Sequence, residues 1–207
     1  MTAIKHVVFD IGKVLIQYDP ERPFLHLIPD ADARAHFLAT VCTHEWNIEQ
    51  DRGRSWQEAE ALLSAAHPQQ EANIRNFRKY WREMVPGAIN ESVAIMRELI
   101  ASGMDVTMLT NFASDTFREA AAMYPFLGEP RGVTVSGDVK VIKPDHEIYR
   151  IHTDAFHLDP TATLFIDDSA ANVKGALDFG WHAVLFTGAV KLRGDLVRLG
   201  LARTVVR

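Results

Sequence analysis

The chain has one cysteine, Cys42, so no internal disulfide can form, which fits a reducing compartment. It has no apolar run of the ~18 residues that a membrane span needs. The N-terminus lacks the basic stretch, long apolar stretch and small-residue cleavage site of a signal peptide. We therefore expect a cytoplasmic protein with no membrane partner. Positive charge is not in excess: 27 acidic residues against 22 basic ones give a formal charge of −5, and nothing in that balance asks for nucleic acid. Internal repeats and low-complexity segments are absent too. What remains is a 207-residue chain, long enough for one core domain carrying a smaller insertion. A chain of that size can bury about 70% of its unfolded surface and needs no staples.

Residues 6–15 read His-Val-Val-Phe-Asp-Ile-Gly-Lys-Val-Leu. A short β-branched run ending near a glycine predicts a buried strand over 5–9, with Asp10 at its carboxyl end. Taken alone, Asp10 reads equally well as a cap for the following turn or as a carboxylate that something uses. Pro20 and Pro23 then mark an exit from the core. From 24 to 85 apolar residues recur three and four apart: Phe24, Leu27 and Ile28; Phe37 and Val41; Trp56, Ala59, Leu62 and Leu63; Ile74, Phe77, Trp81 and Met84. That is a helical segment, and Trp46, Trp56 and Trp81 are expected to form its core. After Pro86-Gly87 strand and helix alternate. Helices are predicted at 90–102, from Ser114 as cap, from Lys143-Pro144-Asp145 with Pro144 in the first turn, at 170–179, and along the tail at 191–201. Strands are predicted at 105–109, around Val133 and Val135, at 163–166 and at 182–186. The alternation predicts an α/β fold: a Rossmann-like parallel sheet with helices on both faces, and a small helical bundle inserted after the first strand. The core is assigned to 1–16 and 87–207, and the insertion to 17–86.

In a parallel sheet all the carboxyl ends of the strands lie on one edge, where ligands bind. Asp10, Thr110-Asn111, Lys143 and Asp167-Asp168 all fall at such ends or in the adjacent loops. Each has an ordinary explanation: helix cap, surface charge, turn. Together they suit one chemistry. Three carboxylates with no histidine or cysteine cluster make a site for a hard cation, with Mg2+ the first candidate. A lysine beside them balances charge and binds phosphate. A hydroxyl or amide can donate to a phosphate oxygen, and an aspartate can attack phosphorus to form an aspartyl-phosphate that water clears.

On these stretches the sequence resembles the haloacid dehalogenase superfamily. The matching segments are Val7-Val8-Phe9-Asp10-Ile11-Gly12-Lys13-Val14-Leu15, Met108-Leu109-Thr110-Asn111, Lys143-Pro144-Asp145-His146-Glu147-Ile148-Tyr149, and Leu164 through Asp167-Asp168-Ser169 to Asn172 and Ala176. They come in the family's order and span the chain. The insertion resembles the family's helical cap. The first motif and the Arg52-Gly53 step are similar to sugar-phosphate phosphatases that begin Asp-x-Gly, such as glucose-1-phosphate phosphatase. The resemblance implies a phosphatase acting on a small phosphorylated metabolite. It assigns Asp10 as nucleophile and Mg2+ ligand, and Gly12 as a carbonyl ligand. Asp168 binds Mg2+ directly, and Asp167 directly or through water. Thr110 and Asn111 hold the phosphate, Lys143 bridges phosphate and Asp10, and Asn172 supports the loop. Arg52 and Trp46 in the cap are candidates for substrate contact.

The match breaks at Gly12. Most phosphatases of this family carry an aspartate there that protonates the leaving group, and losing a positioned acid typically costs ~10²–10⁴-fold. His44, Glu45, Asp51 or a water are the candidate replacements. The gap also opens rival readings. One is a 2-haloacid dehalogenase, which uses no metal and lacks the paired aspartates. Another is a phosphonate hydrolase, which needs a cap lysine; Lys79 is the one lysine between 17 and 86. The third is a non-catalytic ligand-binding relative.

Overall fold

The structure, a computed structural model, describes residues 3–202. Its centre is a five-stranded parallel sheet in the order β3-β2-β1-β4-β5. The strands are β1 (His6–Phe9), β2 (Asp105–Thr110), β3 (Val133–Val135), β4 (Thr163–Asp167) and β5 (His182–Leu185). β1 sits at the centre, and its Val7, Val8 and Phe9 are fully buried. Such burial on both faces is the mark of a parallel sheet covered by helices. Val7 and Phe9 join one apolar cluster, whereas Val8 joins a second with Leu109, Ile148, Tyr149, Phe165 and Trp181.

Register decides where the site falls. Phe9 pairs with Met108 on one side and Ile166 on the other. The next residue, Asp10, still bonds through its N–H to Ile166 O at 2.9 Å. Asp10 and Asp167 thus stand side by side at the carboxyl edge.

Residues between Phe24 and Met84 supply helices and no strand. The chain leaves β1 and returns through a paired neck: Gln17 N–H donates to Gly87 O and Ile89 N–H to Leu15 O, both at 2.8 Å. Three of the helices in this insertion are capped by side chains. Asp30, Thr43 and Ser55 accept N–H bonds from Ala33, Trp46 and Glu58, each contributing about 1 kcal/mol. The expected tryptophan core is there in part. Trp46 meets Trp56 at 5.9 Å and Phe77 at 5.4 Å, both edge-on. Trp81 instead packs on Phe112 of the β2 loop, 5.8 Å away. The cluster that holds Val7 and Phe9 also holds Phe24, Phe37, Phe77 and Met84, so insertion and sheet share one apolar interior.

Two local expectations need correction. Ser114 is not a cap: it is the first helical residue of Ser114–Met123, and Ala113 stands at the cap position without a side-chain bond. Pro144 does not sit in the first turn of the helix it precedes. The helix is His146–Phe156, capped by Asp145, whose carboxylate accepts from Glu147 N–H. Pro144 therefore belongs to the loop that presents Lys143. Gly103 and Gly180 follow helices 90–101 and 170–179 with φ of +83° and +107°, the left-handed stop that favours glycine.

Candidate active site

Lys143 is the hub of the strand-end edge. Its Nζ lies 2.8 Å from Asp10 Oδ1 and 2.7 Å from Asp167 Oδ2, and it donates to Leu109 O at 3.0 Å. All three of its protons are used, and the side chain is buried. Burial works against the ammonium, but the pull of Asp10 and Asp167 and their hydrogen bonds outweighs it, so its pKa lies above the ordinary lysine value. It is a fixed cation. Burial likewise drives the Asp10 carboxyl upward, with Asp167 adding to the rise, and Lys143 opposes both.

Asp167 is fully enclosed and its oxygens are already in use. Oδ1 accepts from Ser169 N–H at 2.7 Å and Oδ2 from Lys143, while Asn172 Nδ2 bridges both at 3.1 Å. Asn172 therefore steadies this loop, and Ser169 caps the helix that follows. Asp168, half-buried, is more open. Desolvation and then Asp167 raise its pKa, against the pull of Lys13 and Lys143. Oxygens of Asp10, Asp167 and Asp168 all lie within 4.8 Å of one another. Three carboxylates face one buried ammonium, so the edge is short of positive charge. The donors are all hard oxygens, which suits a divalent cation such as Mg2+. Asp10 and Asp168 are the freer of the three to hold it.

Thr110 ends β2, and its buried Oγ1 has no hydrogen-bond partner among the described residues. A buried hydroxyl without a partner costs about 1–3 kcal/mol, so it fits a position that an oxyanion completes. Asn111 is different. Its amide is spent on the main chain of Lys143, donating to Lys143 O at 3.0 Å and accepting from Lys143 N–H at 2.8 Å. Gly12 has open space around its Cβ position, with no heavy atom within 4 Å.

The cap candidates separate. Trp46 is inside the helical insertion, its indole N–H on Ala59 O at 3.4 Å. Arg52 is exposed and paired with Glu49 at 3.4 Å. Lys79 is exposed and lies over the Tyr80 ring, away from the buried setting a reactive lysine needs. His44 and Glu45 are exposed as well. Asp51 is half-buried, at the end of helix 44–51. Burial pushes its carboxyl up to about 7; the Ala113 main-chain N–H and Lys143 pull it down, and Asp10 pushes it further up. Sequence patterns could not separate it from His44 and Glu45. They also missed Lys13, which carries φ of 58° and whose charge lowers the Asp168 pKa.

A carboxylate, a buried lysine and paired aspartates thus meet at the carboxyl edge of a parallel sheet, and the family match makes the protein a hydrolase. Residues 4–180 match the haloacid dehalogenase-like hydrolases, and the chain belongs to that family. It is 24% identical over 203 residues to the sesquiterpene phosphatase astK of Aspergillus oryzae, covering 96% of this chain and 97% of that one. Among solved structures it resembles the magnesium complex of the family enzyme bt-2542 from Bacteroides thetaiotaomicron. The TM-score is 0.74 at 20% identity, over 95% of this chain and all of that one. The same enzyme is known with magnesium and inorganic phosphate. The L-2-haloacid dehalogenase of Xanthobacter autotrophicus is also similar, with a TM-score of 0.63 at 18% identity, over 97% of this chain and 85% of that one. At such identities these structures share the fold. No helix among the described residues is long and apolar enough to cross a membrane.

Proposed function

We propose that the protein is a Mg2+-dependent phosphatase that hydrolyses a small phosphate monoester, sugar phosphates included, through an aspartyl-phosphate on Asp10. The observation that carries this reading is the Asp10, Asp167 and Asp168 cluster, with all three carboxylates within 4.8 Å. A dehalogenase working without metal has no use for the paired aspartates. The phosphatase among the relatives and the magnesium and phosphate complexes of bt-2542 point the same way.

In this reading Lys143 favours the anionic form of Asp10 against burial and offers its charge to a phosphoryl oxygen as the ester arrives. Asn111 holds the Lys143 main chain, and the Thr110 hydroxyl donates to the phosphate. Asp10 attacks phosphorus, the bond to the alcohol oxygen breaks, and water then releases inorganic phosphate. Mg2+, held by Asp10, Asp168 and the Gly12 carbonyl, would neutralise charge on the phosphoryl oxygens when bound. Residues 17–86 act as a cap that excludes water, and Arg52 contacts the substrate from it.

A colorimetric panel of phosphate monoesters tests the reading. Release of phosphate with Mg2+, its loss on chelation, and its loss in Asp10→Asn with an unchanged circular dichroism spectrum are expected. Release unaffected by chelator, or halide release from a 2-haloacid without any phosphate release, would overturn it.

A further inference from the structure

An alcohol leaves phosphorus poorly as an alkoxide, so this reaction needs a proton delivered to the leaving oxygen. The first motif supplies none, because Gly12 has no side chain. Around Asp10 every other acidic group is committed. Asp167 is saturated by Lys143, Asn172 and Ser169, and Asp168 belongs with the cation.

One further carboxyl shares the field of Asp10 and Lys143, and it comes from the cap. Asp51 is the last residue of helix 44–51. That helix packs on the turn formed by residues 136–139, which follows β3 at the sheet's carboxyl edge. Two residues on, the Cβ position of Gly53 is 3.2 Å from both Gly137 O and Lys140 Cγ. This stretch of cap is therefore pressed onto the rim of the site. The groups whose charge or dipole acts on Asp51 are Lys143 and Asp10 from the core and the Ala113 N–H beyond β2, and Asp51 acts in turn on Tyr18 of the neck. Tyr18 is itself held by Asn47 of the same helix, whose Nδ2 donates to its hydroxyl at 3.4 Å. Among the described residues no ion pair compensates Asp51. A helix C-terminus carries partial negative charge, which further favours the neutral acid. A half-buried, unpaired carboxyl beside a catalytic centre needs a reason to be there.

We propose that Asp51 is the proton donor of this enzyme, carried on the cap in place of the missing side chain at position 12. The inference rests on the phosphatase reading above. As Asp10 Oδ bonds to phosphorus and the P–O bond to the alcohol breaks, the Asp51 carboxyl gives its proton to the departing oxygen. In the second half, water attacks the phosphorus of the aspartyl-phosphate. Asp51 takes a proton from that water, the P–O bond to Asp10 breaks, and phosphate leaves. Both carboxyls return to their starting states. Because the donor is on the cap, acid catalysis depends on the seating of helix 44–51 against the core.

The test is kcat/KM, with Mg2+, on two esters: glycerol 3-phosphate, whose leaving group needs a proton, and 4-nitrophenyl phosphate, whose leaving group barely does. Asp51→Asn should lose about 10²-fold on the first and under about tenfold on the second. The fall of glycerol 3-phosphate activity above neutral pH should disappear with the acid. Asp51→Glu should recover part of the loss. Gly12→Asp, added to Asp51→Asn, should recover at least about tenfold, since the open space at position 12 admits a side chain. Equal losses on both esters, or no loss, would overturn the proposal while leaving the phosphatase reading intact. If wild-type protein hydrolyses neither ester nor any other monoester, the phosphatase reading falls and takes this proposal with it. Should Asp51→Asn fail to fold, the Asp51→Glu comparison of the two esters decides.

Discussion

Asn111 and Lys143 exchange two hydrogen bonds in opposite directions, side-chain amide to main chain, at 3.0 and 2.8 Å. The amide imitates one rung of a sheet ladder. It continues β2's edge onto a loop that has no strand of its own, and it fixes where the Lys143 ammonium can reach. Removing it strands a main-chain donor and acceptor, each costing about 1–3 kcal/mol. Asn111→Leu should therefore lower stability by about 2–6 kcal/mol in urea unfolding and depress kcat through a displaced lysine. A rise in KM with unchanged stability would show instead that the amide serves phosphate directly.

His152 is fully buried, its ring held between Thr107 Oγ1 at 2.9 Å and Thr134 Oγ1 at 2.8 Å. Burial pushes its pKa down to about 3, and Arg131 and Lys143 add to that. The unfolded chain takes up a proton near pH 6.5 that the folded protein refuses. The resulting stability is whole above pH 6.5 and is lost as pH falls toward 3. Between pH 6.5 and 5 that amounts to about 2 kcal/mol. Urea midpoints for wild type and His152→Gln at pH 7.5 and pH 5 check it: the variant starts lower but falls by less.

Trp46 and Arg52 should part company. Trp46→Ala opens a hole beside Trp56 and Phe77 and should cost about 3 kcal/mol, with activity falling alike on every substrate. Arg52→Ala touches only an exposed ion pair and should change stability by under about 1 kcal/mol. Its effect should be on KM, and larger for bulky substrates than for 4-nitrophenyl phosphate. Equal and substrate-independent losses in both variants would count against a binding role for Arg52.

Strands whose apolar runs end in an acid were legible from the sequence, because burial of both sheet faces leaves a continuous signature: the run before Asp10 in β1 and the run before Asp167 in β4. The three carboxylates were legible for the same reason, whereas Lys143, in a loop before helix 146–156, was legible through its Lys-Pro-Asp motif. The resemblance gives Asn111 a phosphate-binding role, and a strand-end amide looks the same in sequence whichever partner it takes. Only the fold reveals that the Lys143 loop lies within its reach. Pro144 misled because proline suits a first helical turn, whereas Asp145 caps the helix after it. His152 gave no signal, since its partners stand on β2 and β3 and meet only when those strands pair. Asp51 stood beside two equal candidates until helix 44–51 was placed against the core.

The single apolar interior joining Phe24, Phe37 and Phe77 to Val7 and Phe9 has a consequence for inheritance as well as for motion. A cap seated on its own core could be exchanged between relatives like a detachable part. This one could not, because the sheet and the helices each finish the other's hydrophobic lining. Selection for a new substrate would have to proceed by substitutions along the rim, and the two parts should melt together in one transition.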